Sequence, residues 1–179
     1  MTSYQRPDLD QRPVEPNAQP ISARRLAVMA IFIALAAVGS LIKIPSPVGT
    51  IGLDSAPGFF VAIGFAGWMG AVVAAVGHLI TAAVVGFPLS LPVHLVLAVG
   101  MAACAFVFGW LGRKGTVGLI AGFVLAALLN SVVLGLIMLP IGGVVAYTAT
   151  IIPLLIGATM NLAIATVAYL ALRNTRLLD

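Results

Sequence analysis

The chain has 179 residues, of which 61% are apolar and 8% charged, and its mean hydropathy is +1.17. Soluble domains carry about 25% charged residues, so this composition excludes a water-soluble surface. Charge-free apolar runs long enough to span a bilayer point to helices rather than a barrel. The net charge of +4 does not argue for nucleic acid, because the basic residues flank apolar runs, where topology accounts for them.

In chain order, residues 1–22 come first, "MTSYQRPDLDQRPVEPNAQPIS". Three of the five acidic residues and four of the eleven prolines fall here. This is a polar tail expected to be disordered and cytoplasmic, and its long polar stretch is unlike a signal peptide. A membrane domain is expected over residues 23–174. Its first apolar run is 26–42, preceded by Arg24 and Arg25, and a break rich in Pro and Gly follows. The run 59–85 would measure about 40 Å as one helix, too long for one upright span. "GFAGWMG" offers a turn near Gly67, dividing it in two. After "GFPLSLP" come a fourth span at about 92–111, ending at "GRKG", a fifth at about 116–139, ending at "PIGG", and a sixth at about 147–172.

Charge tests this count. With six spans Arg24, Arg25, Arg113, Lys114, Arg173 and Arg176 all share one side, which positive residues mark as cytoplasmic. With five, "GRKG" would face outward. The expected fold is therefore an all-α integral membrane protein of six transmembrane helices, with both termini cytoplasmic, in the plasma membrane. Cys104, the sole cysteine, has no partner for an internal disulfide and reads as a small packing residue.

Ionisable groups within hydrocarbon are costly and usually face a protein interior or an aqueous cavity. Here they are Lys43, Asp54, His78 and His94, joined by Asn130 and Asn161 in the fifth and sixth spans. Asp54 reads either as an N-cap for the second span or as a ligand contact. Lys43 is placed to pair with Asp54 or to snorkel to the interface. His78, His94 and the asparagines read as interhelical hydrogen-bonding groups or as ligand contacts. Both histidines fall near the outer side, and "GFPLSLP" turns them back toward one outward pocket. No metal is called for, since zinc normally takes three or four ligands. No cofactor motif, P-loop or nucleophile elbow appears, so an enzyme is not expected. A small secondary transporter or channel subunit with His78 and Asp54 as a proton relay is the alternative.

In the first span Ala23, Ala27, Ala30, Ala34 and Ala37 form a continuous small-residue stripe, which lets another helix approach closely. Six short spans, this stripe and the absence of an ATPase together resemble the substrate-binding S component of an energy-coupling factor (ECF) vitamin transporter. The resemblance covers about residues 23–174. It is strongest over "GSLIKIPSPVGTIGLDSAPGFFVA" and "GHLITAAVVGFPLSLPVHL", which are similar to the group associated with the cobalamin precursor α-ribazole. It implies vitamin binding in a pocket near the outer surface. It also implies docking on a T component and two ATPase subunits through an AxxxA motif, matched by Ala30 and Ala34 in "AIFIA". A pocket for a benzimidazole riboside pairs an aromatic slot with hydrogen-bonding groups. Phe59, Phe60, Phe87 and Tyr147 are candidates for the slot, and Asp54, His78, His94, Asn130 and Asn161 for the polar contacts.

Overall fold

The computed structural model describes residues 22–46 and 49–178, so the expected tail lies outside the described residues. Helix α1 (Ala23–Gly39) starts at Ser22, whose Oγ accepts from the Arg25 N–H at 3.4 Å, as an N-cap should. A two-stranded antiparallel hairpin follows, β1 (Lys43–Ser46) and β2 (Gly49–Gly52), with Lys43 opposite Gly52. The Pro/Gly break was legible, but the hairpin is an addition to the helical reading. Next come α2 (Ala56–Gly64), α3 (Gly67–Val84), α4 (Leu91–Gly112), α5 (Thr116–Leu128) and α6 (Leu139–Leu172). Prolines sit in the first turns of α2, α4 and α6, where the missing N–H has no intrahelical partner to lose.

The division of 59–85 falls at Phe65 and Ala66, beside the expected turn. Between α5 and α6 the chain keeps coiling, through a π-helical turn (Leu129–Val133) and a 3-10 turn (Leu134–Met138). The direction changes at Gly142 and Gly143, whose φ of 68° at Gly143 is left-handed, in the expected "PIGG". The stretch Thr116–Leu172 is 57 residues of apolar helix. At about 1.5 Å per residue it would run near 85 Å, well beyond one bilayer, so this bend is what lets it return. Besides this stretch, Gly67–Val84 and Leu91–Gly112 are long and apolar enough to cross a membrane. Helix α2 has nine residues, about 13 Å, and crosses only part of one.

Small residues bring α2, α3 and α4 together. A Cβ on Gly58 would stand 2.8 Å from the Ala74 Cβ, one on Gly70 would overlap Ala62, and one on Gly109 would overlap the Ala62 carbonyl. Without a hydrophobic drive between helices in lipid, such close approach is what van der Waals association requires. Phe59 meets Phe108 edge-on at 5.8 Å and Phe60 stacks on Phe32 at 5.2 Å. Cys104 is buried in this core. Outward, Val99, Val117, Val145 and Val167 are each at least 67% exposed, an apolar exterior suited to acyl chains.

The ends of the molecule differ. Arg113 donates from Nη1 to the Ala62 carbonyl at 2.9 Å and lies beside Gly67, while Leu178 lies beside Gly64. The α2–α3 turn, the "GRKG" loop and the C-terminal turn therefore share one end. At the other, Gly39 meets Leu53, and Gly77 meets Ala36, placing the end of α1 beside the segment that holds Asp54.

Candidate functional site

At that second end a cavity of about 290 Å³ opens between the hairpin's exit, α2, α3, α4, the turns after α5, and α6. Its polar lining comprises Asp54, Ser55, His78, Asn130, Thr150 and Asn161, and among its apolar walls are Phe59, Leu97, Met101, Leu134, Pro153 and Leu154. Four of the polar sequence candidates, Asp54, His78, Asn130 and Asn161, converge here from separate parts of the chain.

Their chemistry differs. Asn161 is buried and uses its whole amide on backbone. Its Oδ1 accepts from the Ser55 N–H at 3.1 Å and the Ala56 N–H at 2.8 Å. Its Nδ2 donates to the carbonyls of Gly52 at 3.0 Å and Gly157 at 2.9 Å. Two donors and two lone pairs are the full capacity of an amide. Asn161 thus caps α2 from a distant helix, and the residue at the cap position, Ser55, makes no side-chain cap bond.

That arrangement revises the N-cap expectation for Asp54. Its carboxylate accepts from the neighbouring Ser55 hydroxyl at 3.1 Å and faces the cavity. Among the described residues Lys43 and Asp54 form no hydrogen bond, and Lys43 is exposed on the hairpin.

The two histidines meet directly. His94 Nδ1 lies 3.2 Å from His78 Nε2, and the rings are 5.3 Å apart at their centroids. His78 lines the cavity, whereas His94 sits behind it, buried, with Phe87 edge-on to its ring at 5.7 Å. Phe87 and Ser90 have φ of 49° and 79°, a conformation that few L-residues adopt. These two residues give "GFPLSLP" the tight path that carries α3 back into α4.

Asn130 stands on the π-helical turn and donates from Nδ2 to Met101 Sδ at 2.9 Å, leaving its Oδ1 without a partner among the described residues. Such π-turns inside helices are frequent at functional sites. Tyr147 donates a long hydrogen bond of 3.4 Å to the Val132 carbonyl and packs beside Gly135; it and Phe87 stand around the cavity rather than in its lining. Phe59 is a wall residue, and Phe60 belongs to the core.

Sequence reasoning missed Met101, Leu134, Thr150, Pro153 and Leu154. Pro153 carried a signal, since proline inside a helix frees a carbonyl and marks a special position. Ala30 and Ala34 are exposed along α1 with Ala23 and Ala27, while Ala37 at the end of the stripe is half-buried. Among the described residues no cluster of three or more His, Cys, Asp or Glu side chains forms.

With this geometry in place, comparison with known proteins is specific. Residues 24–173 match the family model described as ECF transporter, substrate-specific component. No curated protein matches the chain in sequence. A solved structure titled "Structure and mechanism of the S component of a bacterial ECF transporter" superposes with a TM-score of 0.63 at 21% identity, covering 84% of this chain and 96% of the other.

Proposed function

This chain belongs to the substrate-specific components of ECF transporters, and from that premise we propose that it captures a vitamin or vitamin precursor, α-ribazole fitting best, in the cavity at the hairpin end. ECF substrate-specific components are membrane-embedded transport subunits rather than enzymes, and they work with a T component and ATPases. The observation that carries the reading is the convergence of Asp54, His78 and Asn130, each with polar capacity to spare, on one largely apolar cavity. A preformed apolar cleft with a few convergent polar groups is the usual form of a small-molecule site.

At about 290 Å³ the cavity is near the lower end of such sites, about 300–1,000 Å³. That suits a fused-ring riboside and is small for a macrocycle. Phe59, Met101 and Leu97 offer an apolar slot for a benzimidazole. Asp54 accepts from ribose hydroxyls, with Asn130 Oδ1 as a second acceptor. Asn161 contributes by holding the start of α2 in place, and His94, Phe87 and Tyr147 support the wall from behind.

The chain crosses the plasma membrane six times in this reading, with the nine-residue α2 as a short second span that reaches only part of the way across. The cavity opens outward, and the end bearing Arg113, Lys114 and Arg173 faces the cytoplasm, as the positive-inside rule favours. Cysteines placed at Ser90 and Lys114 are expected to label from opposite faces of intact cells; labelling of both from outside would reject this orientation.

Uptake then draws on ATP hydrolysed by the partner subunits, and Ala30 and Ala34 form the face that meets them. The test is calorimetric titration of the purified protein with α-ribazole, followed by uptake in vesicles containing the T component and ATPases. Saturable binding and ATP-dependent uptake are expected. Ala34→Trp should abolish uptake and leave binding intact, because a bulky side chain blocks close helix approach. No binding of α-ribazole, with another vitamin recovered from the purified protein, would reassign the substrate.

A further inference from the structure

The two histidines have unequal roles, and the cause lies in one buried atom. Nε2 of His94 is enclosed and has no hydrogen-bond partner among the described residues, while Nδ1 of the same ring is 3.2 Å from His78 Nε2. A hydrogen bond between two imidazoles needs a proton on one of the facing nitrogens and a lone pair on the other. Two neutral arrangements satisfy this. In one, His78 donates from Nε2, and the remaining proton of His94 must sit on its enclosed Nε2, an N–H surrounded by apolar groups. In the other, His94 donates from Nδ1, and its enclosed Nε2 carries only a lone pair.

Buried N–H groups without an acceptor are rarer than under-satisfied acceptors, and an unmade hydrogen bond to a buried donor carries that donor's full desolvation penalty. Adding a second proton to His94 would create the same orphan N–H and bury a charge as well. The second arrangement is therefore favoured, and it has a consequence for His78. With its Nε2 acting as acceptor, the proton of a neutral His78 resides on Nδ1. That atom has no partner among the described residues and is not among the enclosed ones, and the side chain lines the cavity.

We infer that His94 is a positioning residue: it donates its Nδ1 proton to His78 and so fixes His78 as an Nδ1–H donor into the cavity. This rests on the reading of the cavity as the ligand site. The ligand then presents an acceptor to His78 while giving donors to Asp54. A neutral heteroaromatic carrying both a bare ring nitrogen and hydroxyl groups meets this pattern, and the unsubstituted ring nitrogen of a benzimidazole riboside is such an acceptor. A ligand offering His78 only donors is disfavoured, because the tautomer is set before the ligand arrives.

The experiment has two arms. Long-range proton–nitrogen correlation on protein labelled with ¹⁵N-histidine reports the tautomer of each ring in the ligand-free wild type. Nδ1–H on both histidines is expected; Nε2–H on His78, or an imidazolium in the pair at neutral pH, overturns the assignment. In the second arm α-ribazole is titrated into wild type, His94→Asn and His94→Leu. The asparagine amide can still donate from the position of Nδ1, so its affinity should stay near the wild-type value. Leucine releases His78 to carry its proton on either nitrogen; only the Nδ1–H fraction then binds, and affinity should fall as that fraction falls, on the order of 5-fold. Equal loss in both variants, or loss in neither, overturns the positioning role. If α-ribazole fails to bind wild type, the substrate reading fails separately, and the wild-type spectrum still decides the tautomer. It also decides the matter if the leucine variant does not fold.

Discussion

Close glycine packing runs through both ends of this molecule, with Gly77 against Ala36 and Gly39 against Leu53 at the cavity end, but the backbone differs between them. At the basic end α2, α3 and α4 are held by glycine–alanine contacts and by the Arg113 guanidinium on the Ala62 carbonyl. The backbone there is regular helix closed by a turn at Phe65 and Ala66. At the cavity end irregular structure accumulates: a hairpin, two left-handed non-glycine residues in "GFPLSLP", and a π-turn carrying Asn130. Polar side chains follow the irregular backbone, because irregular backbone needs partners in an apolar medium. The difference teaches that regular helix, closely packed, supplies a rigid base, and that the site is assembled where regular helix is interrupted.

The largest expected effect tests the base. Any side chain at Gly70 must pass through the backbone of Ala62, and no rotamer avoids that, since the clash begins at Cβ. Gly70→Leu should abolish folding in membranes or detergent, read as loss of a cooperative melting transition and of recoverable monodisperse protein. Overpacking typically destabilises by about 1–3 kcal/mol, occasionally more, and a clash with backbone belongs to the upper part. A Gly70→Leu protein with a normal melt would mean that α2 and α3 can separate, and the contrast between a rigid base and an assembled site would fail. The matching substitution at the other end, Gly86→Ala, meets no atom within 4 Å but sits at φ 79°. The left-handed backbone strains alanine by about 1–2 kcal/mol, so the melting temperature should fall by only a few degrees.

How much of this was legible in the sequence divides along the same line. Helix limits, the turn beside Gly67 and the bend at "PIGG" follow from apolar run length and glycine placement, which are local signals. Asp54, His78, Asn130 and Asn161 were legible as candidates, because polar groups in hydrocarbon have few places to go, but nothing in the sequence shows that they gather in one cavity. What was not legible is who partners whom. A local rule offered Asp54 as a cap of α2, beside its reading as a ligand contact, but Asn161 supplies the cap from more than 100 residues away. The hairpin escaped notice because "KIPSPVGTIG" lacks the alternation that marks a strand. The direct contact of His78 with His94 needed the path of "GFPLSLP", which depends on Phe87 and Ser90 adopting a conformation rare for their types. The π-turn leaves no compositional trace.

The smaller effects separate two residues that look alike as sequence candidates. Asn161→Ala removes four hydrogen bonds to backbone and strands the buried Ala56 N–H. An unsatisfied buried group costs about 1–3 kcal/mol, so the variant should melt clearly lower, and its affinity for α-ribazole should fall because the start of α2 moves. Asp54→Asn leaves every one of those backbone bonds in place. The Ser55 hydroxyl can still donate to the new amide oxygen, so melting should be nearly unchanged. What the variant loses is a charged acceptor facing the cavity. Hydrogen bonds to charged groups contribute about 1.5–3 kcal/mol, which corresponds to roughly a 10- to 150-fold drop in affinity. Paired melting curves and titrations of the two variants measure both quantities. A large drop in melting for Asp54→Asn would return the carboxylate to a structural role at the head of α2. Unchanged affinity with an unchanged melt would mean that the ligand's donors are met by Asn130 instead, deeper toward the π-turn. The expected pattern, stability lost at Asn161 and affinity alone lost at Asp54, follows from a division of labour in which one distant amide does the capping and leaves the local carboxylate free.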